Sequence, residues 1–427
     1  MEAAVAGKSI GQVGAPAEPI RWVARGGAQL PDAYQVGQWD RAEVILKVSE
    51  RCHMRCRYCY FFNGGDESYL RHAPLITEHT VQSVAEFLAR TAVESGLKSI
   101  QVDLHGGEPT LLKKHRFDAM CATLRRVIGA VTRLDIALQT SATLLDDEWI
   151  EIFARHDIHV GVSIDGPREF NDANRLDHQG RGTYDAAVAG LRLLQSAHAQ
   201  GRLKFAPGII CVANPKHDGR QTLNHLVDDL GVKGLHFVFP LRTWDEHDPV
   251  ELDGFVHYMV DMFDAWVERG DRSVSVRYLE SFLSLLLGGK RGMEFYEATL
   301  PRQIAMTITS DGEVVGADDE RVASYAFDNG FMVAKARTVS QVMGTVPMQR
   351  YAHEVAMRSA ECTSCCWGRL CKGGVPLAGA TQRHSMKDGF ANKSVFCEGI
   401  KALLVRMTRH AMSNGVKFEQ IEEVLVR

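Results

Sequence analysis

Six short apolar or β-branched runs recur along the chain at the spacing of strand–helix units: Val44–Val48, Ile100–Leu104, Leu134–Leu138, His159–Ser163, Ile209–Val212 and Leu235–Phe239. Between them lie stretches of helical period. Thr77–Ser95 places Val81, Val84, Ala85 and Leu88 on one face, and Tyr184–Gln200 and Gln221–Leu230 follow the same rule. A strand that feeds an amphipathic helix and then another strand returns to its sheet by a crossover, which makes the strands parallel. The expected fold is therefore α/β, a partial (β/α)6 TIM-like barrel with fewer units than a closed one. Residues 1–40, rich in Ala, Gly and Pro, read as an N-terminal arm, and 41–290 as the barrel.

After helical stretches at Leu252–Glu268 and Leu279–Leu287 the pattern changes. Met306–Ile308, Ser310-Asp311-Gly312 and Glu313–Val315 spell a β-hairpin with Asp-Gly in its turn. The segment Cys362–Cys397 follows neither period, and such a segment usually needs a metal or disulfides to hold it. Ile400–Met412 reads as a closing helix. The expected second domain is a Cys-rich module over 291–405, with a tail over 406–427.

The formal net charge of −4 gives no reason to expect a nucleic-acid partner. No apolar run is long enough to span a membrane and no signal peptide is evident, so the expected location is cytoplasmic. Ten cysteines in such a chain call for metal or catalytic use, because disulfides are disfavoured there. They are unevenly placed. Three fall between Cys52 and Cys59 and five between Cys362 and Cys397, while Cys121 and Cys211 stand alone in core-like patterns.

The first group reads Cys52-His-Met-Arg-Cys56-Arg-Tyr-Cys59-Tyr60 and begins three residues past the first strand. That places it at the strand's C-terminal end, where parallel barrels carry their chemistry. Three thiolates can hold three irons of a four-iron cube and leave the fourth open to a small molecule. A zinc site is the alternative, but structural zinc takes four protein ligands and only His53 is at hand.

This segment resembles the CxxxCxxC motif of the radical S-adenosylmethionine (SAM) superfamily, including the frequent Tyr before the third Cys, here Tyr58. The resemblance implies a [4Fe–4S] cluster on Cys52, Cys56 and Cys59 whose open iron binds SAM. An electron from the reduced cluster then cleaves SAM to a 5′-deoxyadenosyl radical, which abstracts a hydrogen from substrate. Three further segments extend the resemblance. His105-Gly106-Gly107-Glu108-Pro109 is similar to the GGEP motif, which implies that Gly106, Gly107 and Glu108 hold the SAM amino group. Gln139-Thr-Ser141-Ala142 looks like a QTNG-type segment near the ribose, with Ser141 and Ala142 in place of Asn and Gly. Ser163-Ile-Asp-Gly-Pro167 with Asn171–Arg175 is similar to a run in peptide- and protein-modifying members, which implies Ser163 and Arg175 at the SAM carboxylate. The alternative for Arg175 is a pair with Asp172 at a helix start.

Cys362, Cys365, Cys371 and Cys397 resemble part of the SPASM module, which implies one auxiliary [4Fe–4S] cluster. The module's other cysteines are missing together: Ala317 and Val375 stand at two of their places. Cys366 is a spare. Structural zinc or free thiols are the alternatives.

The tail Gly389–Cys397, with Leu104–Pro109, looks like SPASM maturases of ribosomally made peptides, including the cyclophane-forming group. That likeness implies an enzyme that cross-links a precursor peptide, fed by a low-potential electron donor of ferredoxin or flavodoxin type. Asp318 would be its catalytic base and Asp319 the alternate, unless Asp318-Asp319-Glu320 is only a solvated acidic turn. Tyr60, Phe61 and Trp367 would line the substrate channel or pack in the core. A second enzyme reading is oxidation of a Cys or Ser in a protein substrate, as in anaerobic sulfatase maturation, with the missing first auxiliary cluster counting against it. A non-catalytic metal-cluster binding protein is the reading of another class, opposed by the SAM-type segments.

Overall fold

A computed structural model of the chain describes residues 39–64, 66–246, 249–289, 303–316, 318, 331–336, 338–345, 348, 357–374 and 380–426. All six expected strands form: Arg41–Ser49 (β1), Ser99–Gly106 (β2), Arg133–Thr140 (β3), Ile158–Ser163 (β4), Gly208–Val212 (β5) and Gly234–Val238 (β6). Each pairs in parallel with the next. The crossovers carry Glu78–Ser95 (α1), Lys114–Val127 (α2), Asp147–Arg155 (α3), Tyr184–Ala199 (α4) and Gly219–Asn224 (α5). Local chemistry sets several helix ends. Thr77 caps α1 by accepting from the Thr80 N–H, Gly96 ends it in a left-handed turn, and Asp146 caps α3 through the Trp149 N–H. The helix expected at Gln221–Leu230 is α5 continued by a π-turn over His225–Asp229.

The sheet extends past six strands at both ends. Ser275–Val276 (β7) adds to β6, and Gln303–Ile308 (β8) pairs in parallel with β1, from Arg41↔Gln303 to Leu46↔Ile308. Val314–Val315 (β9) folds back antiparallel on β8, closing the hairpin that the Asp-Gly turn predicts. The hairpin is thus part of the barrel sheet itself. It covers the backbone edge that β1 would otherwise leave open. The order is β7-β6-β5-β4-β3-β2-β1-β8-β9.

Both faces of β1 are buried, as in a covered parallel sheet. Ala42, Val44, Leu46 and Val48 join the apolar core with Val81, Val84, Ala85 and Leu88 of α1. The alternate row of β1 carries buried Glu43 and Lys47 on either side of Ile45. Gln101 and Gln303 donate to the Glu43 carboxyl, and burial beside Asp103 pushes that carboxyl well up.

Beyond the sheet, Pro249–Arg269 (α6) and Arg277–Leu286 (α7) are followed by the Cys-rich segment, then Cys397–Ser413 (α8) and Phe418–Val426 (α9). α8 packs on α6. Trp244 ties the Cys-rich segment to the barrel: its backbone N–H donates to His384 O (2.9 Å) and its indole to Lys393 O (2.7 Å). Cys121 and Cys211 are buried, as their patterns predict. Among the described residues, no helix is long and apolar enough to cross a membrane.

Candidate active site

The loop after β1 carries Cys52, Cys56 and Cys59 and is held from two sides. On one side Gly107 N–H donates to Ser49 O (2.7 Å) and Glu108 N–H to Arg51 O (2.9 Å). This zipper explains both glycines. A Cβ on Gly106 would sit 2.2 Å from Ser49 O, and one on Gly107 2.2 Å from Arg51 O. Gly106 also has φ +143°, which L side chains rarely adopt. On the other side Arg55 N–H donates to Leu176 O (2.7 Å) and Arg57 N–H to Asn174 O (3.0 Å).

Burial first, then the nearby Glu108, Cys56 and Cys59, push the Cys52 thiol up to about 12. Cys56 and Cys59 are pushed up by burial as well. Three half-buried sulfurs this close would repel one another as thiolates, so a cationic iron cluster is the partner that fits the donor set. His53, the nearby candidate for a fourth zinc ligand, is instead bonded through Nε2 to Thr143 Oγ1 (2.6 Å). Among the described residues, no three His, Cys, Asp or Glu side chains form a group that could hold a single metal ion.

Glu108 is 1% exposed and braces two loops. Its Oε1 accepts from the Thr110 N–H, the Thr110 hydroxyl and the Thr140 hydroxyl, and its Oε2 from the Ser141 N–H (2.9 Å) and hydroxyl (2.8 Å). A carboxylate has about four lone-pair sites, so this one is filled by its own neighbours. Ser141 is placed at the same loop. Ser163 Oγ accepts from Gln139 Nε2 (2.6 Å).

Half-buried Tyr58 and buried Asp165 and Arg175 form a triad beneath the loop. Arg175 Nη1 donates to the Tyr58 hydroxyl (2.7 Å), which donates to Asp165 Oδ2 (2.5 Å). Burial raises the Asp165 carboxyl and lifts the Tyr58 phenol well above its usual range. Arg175 does not pair with Asp172, which instead accepts from the N–H groups of Thr183 and Tyr184.

A second cluster lies at the same strand ends. Asp318, 4% exposed, accepts from Lys47 Nζ at 2.5 Å and from the Tyr60 hydroxyl. Lys47 also lies 3.4 Å from His105 Nδ1 and over the Phe61 ring. Burial and then the Lys47 charge hold the His105 imidazole down at about 4, so it is neutral. The structure thus brings Asp318 to the mouth of the barrel, beside the loop of Cys59. Asp319, Ala317 and Val375 lie outside the described residues. Sequence reasoning passed over Lys47 and His105. The available signal was a Lys in the inward row of a buried strand, near its C-terminal end.

Cys362, Cys365, Cys371 and Cys397 also come together. Burial pushes the Cys371 thiol up to about 12, with Cys397, Cys362 and Cys365 adding to the rise. Cys366 is exposed and absent from that group. The four-thiol set fits an auxiliary cluster. Phe61 is buried, while Tyr60 and Trp367 are half-buried, Trp367 against the core.

Residues 46–207 match the family model of the radical SAM superfamily. The cysteine-type anaerobic sulfatase-maturating enzyme of Clostridium perfringens (strain ATCC 13124) is 24% identical over 368 residues, 84% of this chain and 94% of that protein. The serine-type anaerobic sulfatase-maturating enzyme of Klebsiella aerogenes is 24% identical over 345 residues, 78% of this chain and 79% of that protein. The solved structure of native anSMEcpe with bound AdoMet and a Cp18Cys peptide superposes with a TM-score of 0.71 at 22% identity, covering 88% of this chain and 100% of that one. This likeness confirms the parallel α/β fold.

These relatives overturn the cyclophane reading of the sequence, since the chain follows sulfatase-maturating enzymes over most of their length. The residues that carried that reading serve the fold. Ser385 and Gly389 exchange two backbone hydrogen bonds, Asn392 donates to Arg383 O, and Ser394 bonds Gln382. Such a packed turn says little about substrate. The chain carries a radical SAM domain over residues 46–207, followed by a Cys-rich SPASM-like region, and is an enzyme of the radical SAM oxidoreductase kind.

Proposed function

We propose that the enzyme oxidises a cysteine or serine side chain in a protein or peptide substrate, a reading supported by its similarity to cysteine-type and serine-type anaerobic sulfatase-maturating enzymes. The observation that carries this reading is the convergence of Lys47 and Tyr60 on Asp318, with His105 against Lys47, beside the three-cysteine loop. Cys52, Cys56 and Cys59 would hold the cluster that, with bound SAM, would supply the hydrogen-atom abstraction, and Cys362, Cys365, Cys371 and Cys397 would hold a cluster able to accept an electron.

The protein's own part is to place and deprotonate the substrate. The substrate loses one hydrogen atom from Cβ, then one electron and the proton on its sulfur or oxygen. A serine so treated becomes an aldehyde. A cysteine becomes a thioaldehyde, which water converts to the aldehyde with release of hydrogen sulfide. Asp318 accepts the heteroatom proton. Lys47 pairs with that carboxylate, and the Tyr60 hydroxyl donates to it and aims it. Neutral His105 leaves the cation's charge directed at Asp318. Glu108, Ser141, Ser163, Gly106 and Gly107 shape the SAM pocket by locking its loops, and the Tyr58–Arg175 pair offers a guanidinium for the SAM carboxylate. The electron that starts each turnover comes from a low-potential carrier of ferredoxin or flavodoxin type.

The test is anaerobic reconstitution with SAM, dithionite and paired peptides carrying Cys, Ser or Ala at one position. A hydrazide-reactive aldehyde at Cys or Ser, with 5′-deoxyadenosine, is the expected product. Deoxyadenosine without any aldehyde on either peptide would refute the reading.

A further inference from the structure

We infer that the outer face of the cluster loop, centred on Arg55 and Arg57, is the docking surface for an acidic one-electron carrier protein. The inference rests on the iron–sulfur reading of Cys52, Cys56 and Cys59, and not on the identity of the oxidised substrate.

The loop has two sides. Its inner side carries Met54, 4% exposed, and the Tyr58 hydroxyl, bonded to buried Asp165 and Arg175. Its outer side carries Arg55 and Arg57, both exposed and flanking Cys56. Neither guanidinium makes a side-chain hydrogen bond or ion pair among the described residues. Several arginines elsewhere in the fold are paired, whereas exposed Arg272, Arg369 and Arg409 also make no side-chain hydrogen bond or ion pair among the described residues. Arg133, Arg155, Arg168, Arg220 and Arg269 each sit within 4 Å of a carboxylate. The backbone of Arg55 and Arg57 is fixed by its bonds to Leu176 and Asn174, so the two charges stand on a rigid ribbon. The neighbouring strip of that ribbon adds exposed His178, whose ring lies 3.0 Å from Cys52 O, and Arg181, 74% exposed although paired with Asp177.

A positive patch on an otherwise acidic chain, of net charge −4, has a local purpose. An electron must reach a cluster held by the same loop that carries Arg55 and Arg57. Transfer between proteins requires close approach of the two redox centres, and the barrel side of the loop faces the proposed SAM and substrate pocket. A carrier must therefore come to the outer side. Uncompensated arginines there attract an acidic partner, speed its encounter and let it leave after delivery, since rim charges act mainly on association and salt dependence. The carrier gives up one electron and the cluster accepts it; no proton or group is exchanged. Flavodoxin and ferredoxin share the needed chemistry, an acidic face around a low-potential centre.

The test uses the reconstituted holoenzyme, wild type and R55E/R57E, with R55Q/R57Q as the milder variant. Two probes are used separately, an acidic flavodoxin and an acidic [2Fe–2S] ferredoxin. Calorimetric binding of each oxidised probe is measured at low and high salt, and cluster reduction by each reduced probe is followed by rapid-freeze EPR. 5′-Deoxyadenosine formation with dithionite reports on the cluster without any carrier or peptide. Charge reversal is expected to weaken binding and slow carrier-driven reduction about tenfold or more, with a smaller loss in R55Q/R57Q and a flatter salt dependence. Dithionite-driven deoxyadenosine should stay at the wild-type level. Carrier binding and reduction that match wild type in both variants would overturn the inference. So would a rise in peptide KM with unchanged carrier kinetics, which would assign the surface to substrate. None of these readouts requires the Cys or Ser oxidation to be correct.

Discussion

Lys47 and Asp318 stand 271 positions apart in the chain, yet Lys47 Nζ and Asp318 Oδ2 lie 2.5 Å apart with both side chains buried. The pair joins β1 to the residue just beyond the β8–β9 hairpin. It links the cysteine loop's own strand to the start of the Cys-rich region. The pairing of β8 with β1 brings this part of the chain beside Lys47.

Replacing Asp318 with Asn should uncouple the two halves of the reaction. Loss of a general base typically costs about 10²–10⁴-fold in rate. Aldehyde formation should fall by that order while 5′-deoxyadenosine continues to form in the presence of peptide. Parallel quantification of the two products by mass spectrometry checks this, and an equal fall in both would count against the assigned role.

Lys47→Met should destabilise the fold by about 3–5 kcal/mol, because it leaves a buried carboxylate without its cation. Adding Asp318→Asn should recover part of the loss. A double-mutant cycle measured by denaturant unfolding reports the coupling directly. Strict additivity of the two substitutions would mean that the pair is not an energetic unit.

Gly107→Ala tests the zipper between the two loops. The new methyl would meet Arg51 O at 2.2 Å, so the cysteine loop must shift. Overpacking of this kind costs about 1–3 kcal/mol. The expected outcome is a protein that folds but retains less iron at the N-terminal site, seen as a weaker SAM-responsive EPR signal. Gly415, whose added Cβ meets nothing within 4 Å, is the positional control, with only its own φ of +92° to strain.

Cys371→Ala should remove the auxiliary cluster and spare the other. Iron analysis after reconstitution should drop by about four per chain. Dithionite-driven SAM cleavage should persist, while peptide oxidation falls. Cys366→Ala, changing an exposed thiol outside the group, should leave the iron content unaltered.

His72 gives the hairpin a pH dependence. Its imidazole is buried beside the hairpin, with Nδ1 3.0 Å from Asp311 Oδ2, and that hydrogen bond raises its pKa above 6.5 despite burial. A raised histidine contributes stability that is fully present below about pH 6.5, the unfolded value, and is lost as pH climbs through the raised folded value. Burial opposes it, but the His72 hydrogen bond holds the Asp311 carboxyl below its usual range, so the partner's share persists above about pH 4 and fades only in acid. Thermal unfolding should therefore show stability declining from near pH 6.5 into the alkaline range, and His72→Gln should flatten that slope.

Much of the barrel was legible because parallel strands announce themselves. Val44–Val48 and Ile100–Leu104 are apolar runs bounded by helical stretches, and both became strands of the expected sheet. The cysteine loop was legible for a similar reason, since spacing and position after a strand are local facts. The glycines of Gly106-Gly107 could be noticed, but not the carbonyls of Ser49 and Arg51 that demand them. The choice between a cross-linking and an oxidising enzyme was misread, because Gly389–Cys397 follows the needs of a packed turn.

What the sequence by itself determined is what depends on neighbours within a few residues: strand and helix periods, the Asp-Gly hairpin and the two groups of thiols. Tertiary structure alone decided that β8 would lie against β1, that Glu108 would be filled by Thr110, Thr140 and Ser141, and that Lys47, Tyr60, His105 and Asp318 would meet. The physical reason is one of range. Periodicity is set by the geometry of adjacent peptides, whereas a buried charge finds its partner only when the sheet order and register have brought distant strands side by side.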